Sequence, residues 1–194
     1  WQQQDDVEYA EPDGFYKVLG QATSWGWSTV KASEAATTNS VTGSGIVVAV
    51  VDTGVDYVHE DLDANNWVNT GENATNNIDD DGNGYVDDYY GYDFIGSYAT
   101  SVTPDNDPQD EYGHGTHVSG IIAAENNTVG VRGVAPSAQI MPVKVLDSSG
   151  WGFDSTIADG IRYAVDEGAD IINLSLGSSV GSNTIKEAVD YAAT

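Results

Sequence analysis

Residues 46–54 have the sequence IVVAVVDTG, in which six apolar residues lead directly into Asp52, Thr53 and Gly54. A short, continuously apolar run that ends at turn residues is typical of a strand buried on both faces. From residue 114 onward helical and strand periods alternate, and we predict helices near 114–125, 157–165 and 185–192 and strands at 139–146 and 170–176. This alternation predicts an α/β fold, in which a parallel β-sheet is joined by right-handed crossovers and flanked by helices on both faces.

The chain before residue 114 is less regular. A short helix is predicted at Val30–Ala36, and residues 65–110 form a long stretch rich in Asp, Asn and Gly with little periodicity. A loop of this length inside a compact domain is usually functional or ordered by a metal ion. The apolar segments from residue 46 onward are regularly spaced, so nothing in that region indicates a second domain.

The amino-acid composition limits the classes of molecule that the protein can bind. The 194 residues include 31 acidic and 6 basic side chains, for a net charge of −25. This charge argues against nucleic acid and an anionic membrane as partners and favours cations, with calcium first, although scattered surface carboxylates can serve solubility alone. The longest apolar run is too short to span a bilayer. The chain has no cysteine, so disulfides and a thiolate nucleophile are excluded.

Asp52 and His114 are predicted to form a catalytic pair. In a parallel sheet, functional residues gather at the carboxyl ends of the strands, which is where Asp52 falls. His114 begins the segment HGTHVSG, and a histidine that acts as a base needs a carboxylate on its other ring nitrogen to fix the tautomer. No serine in a nucleophile-like context is recognisable before Thr194.

Two other interpretations of these residues remain. Asp-Thr-Gly after an apolar strand is also the signature of pepsin-like aspartic proteases, but those folds are all-β and the helical periods after His114 argue against them. His114 and His117, three residues apart, could form a metal pair on one helix face.

Several segments, in this order, resemble motif blocks of the subtilisin-like serine proteases: Asp52–Asp56 with His59–Leu62, His114–Gly120, Gly130–Pro136 and Ser175–Gly177. The resemblance extends from about residue 25 to the end. It implies an α/β fold truncated on its C-terminal side, and a secreted, calcium-stabilised serine endopeptidase that acts on polypeptides. The rival hypothesis is a noncatalytic calcium-binding structural or binding domain on the same scaffold, and the sequence that follows residue 194 discriminates between the two.

The resemblance also implies individual roles. His114 is the general base, Asp52 orients it, His117 is structural, and the nucleophilic serine lies beyond Thr194. Two edge segments hold an extended peptide substrate through backbone hydrogen bonds, and their glycines let the substrate backbone approach closely. These segments are Gly150, Trp151 and Gly152, and Ser175, Leu176 and Gly177, while Leu146 and Trp151 fall where pockets for substrate side chains upstream of the scissile bond would be lined.

Two calcium sites are predicted. The first is implied by the resemblance, and its oxygen ligands are the side chains of Gln21, Asp61 and Asn127 and the carbonyls of Glu125, Val129 and Val131. The second lies in the acidic segment 79–88, which resembles the first half of an EF-hand loop. Its candidate ligands are Asp79, Asp81, Asn83, Tyr85, Asp87 and Asp88.

The acidic segment departs from the EF-hand pattern at one point. Position twelve is Tyr90 rather than a bidentate Glu, so Asp87 or Asp88 would have to close the ligand shell. A solvated acidic turn is the alternative. Carboxylates crowded into ten residues repel one another without a cation, and this repulsion favours binding.

The N-terminus resembles a different part of these enzymes. Val7–Pro12 resembles the end of the inhibitory propeptide that chaperones the family and leaves its tail in the active-site cleft. We therefore expect residues 1–20 to be a propeptide tail or N-terminal extension, and residues 21–194 to be an incomplete peptidase domain with its own propeptide as a partner. A disordered tail is the alternative.

Overall fold

The computed structural model describes residues 25–99 and 101–194. Five helices lie in this part of the chain: α1 (Trp25–Thr29), α2 (Ala32–Thr38), α3 (His114–Ala123), α4 (Asp154–Asp166) and α5 (Asn183–Ala192). The four strands in the same ranges are β1 (Val47–Asp52), β2 (Tyr92–Asp93), β3 (Gln139–Lys144) and β4 (Ile171–Asn173). A short 3-10 turn lies at Asp63–Asn65.

The strands form one parallel sheet with the order β2-β3-β1-β4. β1 pairs with β3 along its whole length, from Val47 opposite Gln139 to Asp52 opposite Lys144. The central position of β1 explains its composition, because a strand with neighbours on both edges and helices on both faces has no polar surroundings. The predicted α/β fold with a parallel sheet is confirmed.

The two faces of the sheet carry separate cores. On one face, alternate residues of β1 and β3 pack against α4, whose apolar side includes Ile157, Ile161 and Ala164, and against Ala188 of α5. On the other face, Val48, Val50 and Ile140 pack against the end of α3. Helices therefore cover both faces, as the alternating periods predicted.

The strand and helix boundaries differ from the sequence prediction in identifiable ways. The predicted strand 139–146 ends at Lys144, because the N–H groups of Val145 and Leu146 both donate to the carbonyl of Asp52 and turn the chain around the end of β1. β4 covers only three of the seven residues predicted at 170–176. The predicted helix at 30–36 corresponds to α2, which begins two residues later because Lys31 has a left-handed φ of 59°, and the short α1 before it was not predicted.

The edge strand β2 was not predicted. It has two residues, paired with Val143 and Lys144 of β3, and it lies inside the long Asp- and Gly-rich stretch. Two residues are too few to show a strand period, so only pairing with β3 defines the element. Among the described residues, no helix has the length and apolar character needed to cross a membrane.

Candidate active site

Asp52 and His114 are brought into direct contact. Asp52 ends β1 and is fully buried, whereas His114 begins α3 and its side chain is 41% exposed. Oδ1 of Asp52 accepts hydrogen bonds from Nδ1 of His114 and from the N–H of Thr53, each at 2.7 Å. Because a carboxylate only accepts, the proton of the neutral ring lies on Nδ1, which leaves Nε2 as an acceptor. The ring is therefore oriented as a base whose free nitrogen can receive a proton.

The contact depends on close packing between α3 and the end of β1. A Cβ on Gly115 would overlap the carbonyl oxygen of Gly54 and would lie 3.2 Å from the Cβ of Asp52. The N–H of Gly115 donates to Oγ1 of Thr53 at 2.9 Å. Only a glycine at position 115 lets the helix start this near to the strand.

Asp110 ties the first turn of α3 to the strand end. Its Oδ1 accepts from Oγ1 of Thr53 and from the N–H groups of Tyr112 and Gly113, and its Oδ2 accepts from the N–H and the hydroxyl of Thr116. Burial alone would raise the pKa of Asp110, but the hydrogen bonds from Thr116, Gly113 and Tyr112 outweigh it and hold the pKa below its ordinary value. Asp110 was not among the residues predicted from the sequence, although an Asp shortly before a helix is a recognised start signal.

Lys144 supplies a buried positive charge next to the pair. It faces Asp52 in the β1–β3 register and is 1% exposed. Its ammonium donates to the carbonyls of Thr53 and Gln109 at 3.2 Å and lies 3.5 Å from Glu111. The lysine therefore connects β3, the strand end and the segment before α3.

The same lysine lines a polar cavity of about 190 Å³ together with Asp93. Burial raises the pKa of Asp93 to about 6, although two backbone N–H groups and the Lys144 charge oppose that rise.

The first predicted substrate segment follows β3. Asp147 orders it, because its Oδ1 accepts from the N–H groups of Ser149 and Trp151 while its own N–H donates to the carbonyl of Trp151. The Trp151 side chain is 73% exposed, and Leu146 is half-buried. A Cβ on Gly152 would overlap the carbonyl of Val145, so packing inside the protein already requires this glycine.

The second predicted segment follows β4. Ser175 donates from its hydroxyl to Asn173, Leu176 packs partly against the α4 core, and Gly177 has open space where a Cβ would lie. Both segments lie at the carboxyl edge of the sheet because each follows a strand that is parallel to β1. Ser119, in contrast, is fully buried and donates to the carbonyl of Gly115, so its hydroxyl cannot reach a substrate.

Several residues predicted for the first calcium site lie close together. Oδ1 of Asp61 accepts from Nδ2 of Asn127 at 3.1 Å, and Oδ2 of Asp61 accepts from the N–H of Val131 at 2.9 Å. The N–H of Glu125 donates to the Asp61 carbonyl, and Val129 donates to Oδ1 of Asn127. The structure thus brings Asp61 against the 125–131 loop, and the predicted ligand Gln21 lies outside the described residues.

The acidic loop is folded around its own carboxylates. Asp79 accepts from the N–H groups of residues 82, 83 and 84, and Asp87 accepts from those of residues 76 and 77. Glu72 accepts from the N–H groups of residues 80, 81 and 87. Tyr85 packs edge-on against Tyr92 and two further aromatic rings. Asp79, Asp87 and Tyr85 therefore shape the loop and attach it to the core.

One group of carboxylates converges inside this loop. Single oxygens of Glu72, Asp81 and Asp88 all lie within 4.8 Å of one another. Asp88 is fully buried, and burial raises its pKa although hydrogen bonds from Tyr163, Asn83 and Asn69 oppose the rise. Glu72 was not among the predicted ligands, because it lies seven residues before the acidic segment and no spacing pattern includes it.

Comparison with known proteins identifies the family. The subtilase family model matches residues 43–194. The chain is 39% identical over 203 residues to a thermophilic serine proteinase of Bacillus sp. (strain AK1), and 38% identical over 188 residues to subtilisin E of Bacillus subtilis (strain 168). These alignments cover 96% and 97% of this chain and 41% of each relative, so the chain spans about two fifths of their length. The chain belongs to the subtilase family.

Proposed function

We propose that this chain is part of a secreted, calcium-stabilised serine endopeptidase. The observation that carries the proposal is the 2.7 Å hydrogen bond between Nδ1 of His114 and the fully buried carboxylate of Asp52. In a Ser-His-Asp triad the carboxylate fixes the tautomer and stabilises the imidazolium, while Nε2 takes the proton of the serine and later gives it to the leaving amine. The exposed part of the His114 ring is suited to that exchange.

The nucleophile is proposed to lie in sequence that follows Thr194. The chain covers only 41% of the relatives it matches, and the described part of it has an apolar groove of about 470 Å³ on the α3 side of the sheet. Ile121 and Ile171, which line this groove, are 56% and 53% exposed. An apolar surface of this kind fits an incomplete domain whose remaining elements would cover it.

The substrate is proposed to be an extended polypeptide held between the two segments at the carboxyl edge of the sheet. Backbone hydrogen bonds to such segments bind any sequence, while neighbouring side chains select particular residues. Gly177 leaves open space for a substrate backbone, whereas Gly150, with a φ of 78°, has the Tyr112 ring in van der Waals contact where a Cβ would lie. The exposed ring of Trp151 and the half-buried Leu146 favour apolar substrate side chains near the site.

Calcium is proposed to bind in two places. In the acidic loop, Glu72, Asp81 and Asp88 would hold the ion, with Asp79, Asn83, Tyr85 and Asp87 ordering the loop around them. Three carboxylates, two of them almost wholly buried, fit a hard divalent cation because it offsets their mutual repulsion. When bound, the ion would supply charge neutralisation and rigidity rather than a catalytic group.

The other proposed calcium site, the first of the two predicted from the sequence, uses Asp61 and the 125–131 loop. The donor set is oxygen-rich, but Nδ2 rather than Oδ1 of Asn127 faces Asp61. Coordination of an ion by Oδ1 would require the Asn127 amide to turn and to release the hydrogen bond that Oδ1 accepts from the N–H of Val129. The carbonyls of residues 125, 129 and 131 would complete the set together with Gln21.

Residues 1–20 are proposed to include the tail of a propeptide, with the peptidase domain starting near residue 21. We also propose that the protein is secreted, because it belongs to the subtilase family. Sequencing the N-terminus of the protein recovered from culture medium tests both points. A mature protein that begins at or before residue 7, or one that is retained in the cells, would contradict them.

Peptidase activity is tested by comparing two polypeptides, residues 1–194 alone and the same chain continued through its natural C-terminal sequence. We expect the longer polypeptide to hydrolyse a peptide substrate and to be labelled by a fluorophosphonate, and we expect His114→Ala to abolish turnover. The 194-residue chain should show neither property. Stoichiometric labelling of the short chain, together with turnover that His114→Ala abolishes, would show that the nucleophile lies within it.

A further inference from the structure

The acidic loop contains the dipeptide Asn83-Gly84, which is the only Asn-Gly in the chain. An asparagine followed by glycine is prone to deamidation, because a residue without a Cβ lets its backbone nitrogen reach the carboxamide before it. Gly84 is exposed, has a φ of 98°, and a Cβ there would meet nothing within 4 Å. No neighbouring group therefore shields the nitrogen of Gly84 on that side.

Two hydrogen bonds arrange the atoms that would react. The N–H of Gly84 donates to Oδ2 of Asp79 at 2.9 Å, which places a carboxylate base on the attacking nitrogen. Oδ1 of Asn83 accepts from the N–H of Tyr85 at 2.8 Å, so a donor is aimed at the oxygen that becomes negative during the attack. This second bond also folds the carboxamide back along the backbone that contains the nitrogen of Gly84.

The nitrogen that would depart lies among carboxylates. Nδ2 of Asn83 donates to Oδ2 of Asp88 at 3.1 Å and to Oε1 of Glu167 at 2.9 Å. Asp88 belongs to the convergent group that also contains Glu72 and Asp81. An oxygen in place of Nδ2 would turn two hydrogen bonds into contacts between like charges, and it would add an acceptor beside the convergent group.

Asn76, in the same loop, has a matching arrangement. Its Oδ1 accepts from the N–H of Ile78 at 2.8 Å, and its Nδ2 donates to Asp80 at 2.7 Å. The N–H of Asn77 donates to Oδ2 of Asp87 at 2.8 Å, and Asn77 also has a left-handed φ, of 58°. The residue after Asn76, however, carries a Cβ. Asn76 therefore serves as an internal control for the effect of the glycine.

We propose that Asn83 is a site of spontaneous deamidation, which the folded loop promotes. The backbone nitrogen of Gly84 forms a bond to Cγ of Asn83, and the bond from Cγ to Nδ2 breaks. Asp79 receives the proton that Gly84 loses, and that proton leaves with Nδ2 as ammonia. Water then opens the cyclic imide at either carbonyl and returns a proton to the nitrogen of Gly84, so that aspartate or isoaspartate remains at position 83. The net reaction consumes water and releases ammonia, and nothing is oxidised or reduced.

A carboxylate at position 83 makes the loop more dependent on a cation. It loses the two donations from Nδ2, and it faces Asp88 and Glu167 as a further negative charge. A divalent cation offsets this repulsion, and this step rests on the calcium binding proposed above for Glu72, Asp81 and Asp88. Deamidated molecules would therefore depend more strongly on calcium than newly made ones.

The rate of deamidation is measured on the polypeptide extended through its natural C-terminal sequence, with His114→Ala present to prevent self-digestion. Native samples and samples unfolded in guanidinium chloride are kept at mildly alkaline pH with a chelator, and each asparagine is followed by peptide mapping and mass spectrometry. In the native protein we expect Asn83 to deamidate about tenfold faster than Asn76, and faster than Asn83 does in the unfolded chain. Asp79→Asn should lower the native rate at Asn83 about tenfold. The rate at Asn76 should stay unchanged in this variant, which shows that the loop remains folded.

Two results would overturn the proposal. A native rate at Asn83 that is no higher than the rate in the unfolded chain would mean that the hydrogen bonds protect the carboxamide. A native rate that Asp79→Asn leaves unchanged would remove the carboxylate from the reaction.

The consequence for calcium is tested separately with Asn83→Asp, which supplies the product with the normal backbone linkage. We expect this variant to have a lower Tm than wild type in chelator and a larger calcium-induced rise in Tm. A rise no larger than that of wild type would overturn the added calcium dependence and leave the deamidation in place. The absence of a calcium-induced rise in both proteins would reject the proposed calcium site, but not the reaction at Asn83.

Discussion

Gly115 packs directly against the carbonyl oxygen of Gly54, so that any Cβ at position 115 would overlap that oxygen. The contact joins the first turn of α3 to the turn that follows β1. It sets the separation between His114 and Asp52, each of which lies next to or near one of the two glycines. The hydrogen bond between the candidate catalytic residues is therefore a consequence of backbone packing.

Gly115→Ala is expected to destabilise the protein by about 1–3 kcal/mol, because a backbone carbonyl cannot move aside as a side chain would. Gly120→Ala is the matched control: it lies in the same helix, and a Cβ there meets nothing within 4 Å. That control should be neutral or slightly stabilising, since Ala is the better helix former. Urea denaturation compares the two, and equal midpoints would contradict the packing argument.

The candidate catalytic pair is tested by kinetics on the extended polypeptide. His114→Ala is expected to lower kcat by about 10⁶, and Asp52→Ala by about 10⁴, because a base remains when only its orienting partner is removed. These magnitudes are carried over from subtilisin, a member of the same family. Thermal melting of each variant serves as the folding control. A kcat within tenfold of wild type in either variant would remove that residue from the proposed mechanism.

Asp110→Ala is expected to cost about 2 kcal/mol at pH 7, because the N–H groups at the start of α3 lose their acceptor. The pKa of Asp110 is lowered by folding, so its contribution is present above the pKa of the unfolded chain and is lost as pH falls through the lower folded value. Asp110→Asn keeps one acceptor oxygen and should cost less. Urea titrations at pH 7 and in acid measure both effects, and a difference from wild type that persists unchanged at low pH would contradict the assignment.

Asp93→Asn tests a carboxyl group whose pKa is raised by folding, in contrast to that of Asp110. Burial raises the pKa of Asp93 to about 6, so the native state holds a proton that the unfolded chain has released, and stability declines as pH rises from about 4 to above 6. An amide keeps the oxygen that accepts from residues 95 and 96 but cannot ionise. With a chelator present throughout, the variant should gain stability relative to wild type across this pH range. Parallel stability curves for the two proteins would show that the Asp93 carboxyl does not titrate in this way.

Calcium binding in the acidic loop is expected to raise Tm and to protect residues 76–90 from proteolysis. A ligand that binds only the native state stabilises it by about 2.7 kcal/mol at a hundredfold excess over Kd. Asp81→Ala and Glu72→Gln should each remove much of this response, because both contribute oxygens to the convergent group. Glu34→Gln is the control, since that carboxylate lies on α2, outside the acidic loop, and is exposed beside Lys31.

Two observations together would reject calcium binding in the acidic loop. One is a calorimetric titration without calcium heat, and the other is a Tm that is equal with and without chelator. If Asp81→Ala removes the calcium-induced rise in Tm but Glu72→Gln leaves it unchanged, Glu72 is not a ligand. The ligands would then be those predicted from the sequence, within residues 79–88.

The sequence by itself determined the parallel sheet and the neighbourhood of Asp52 and His114. Six apolar residues at 46–51 predict a strand that is buried on both faces, and the helical periods after residue 114 predict the layers that cover it. Only the tertiary structure placed Glu72 beside Asp88, Asp110 beneath α3, and β2 at the edge of the sheet. Hydrophobic periodicity shows which residues of a local segment are buried and which are exposed to water. The convergence of polar side chains from distant segments depends on long-range packing, which leaves no pattern in the local sequence.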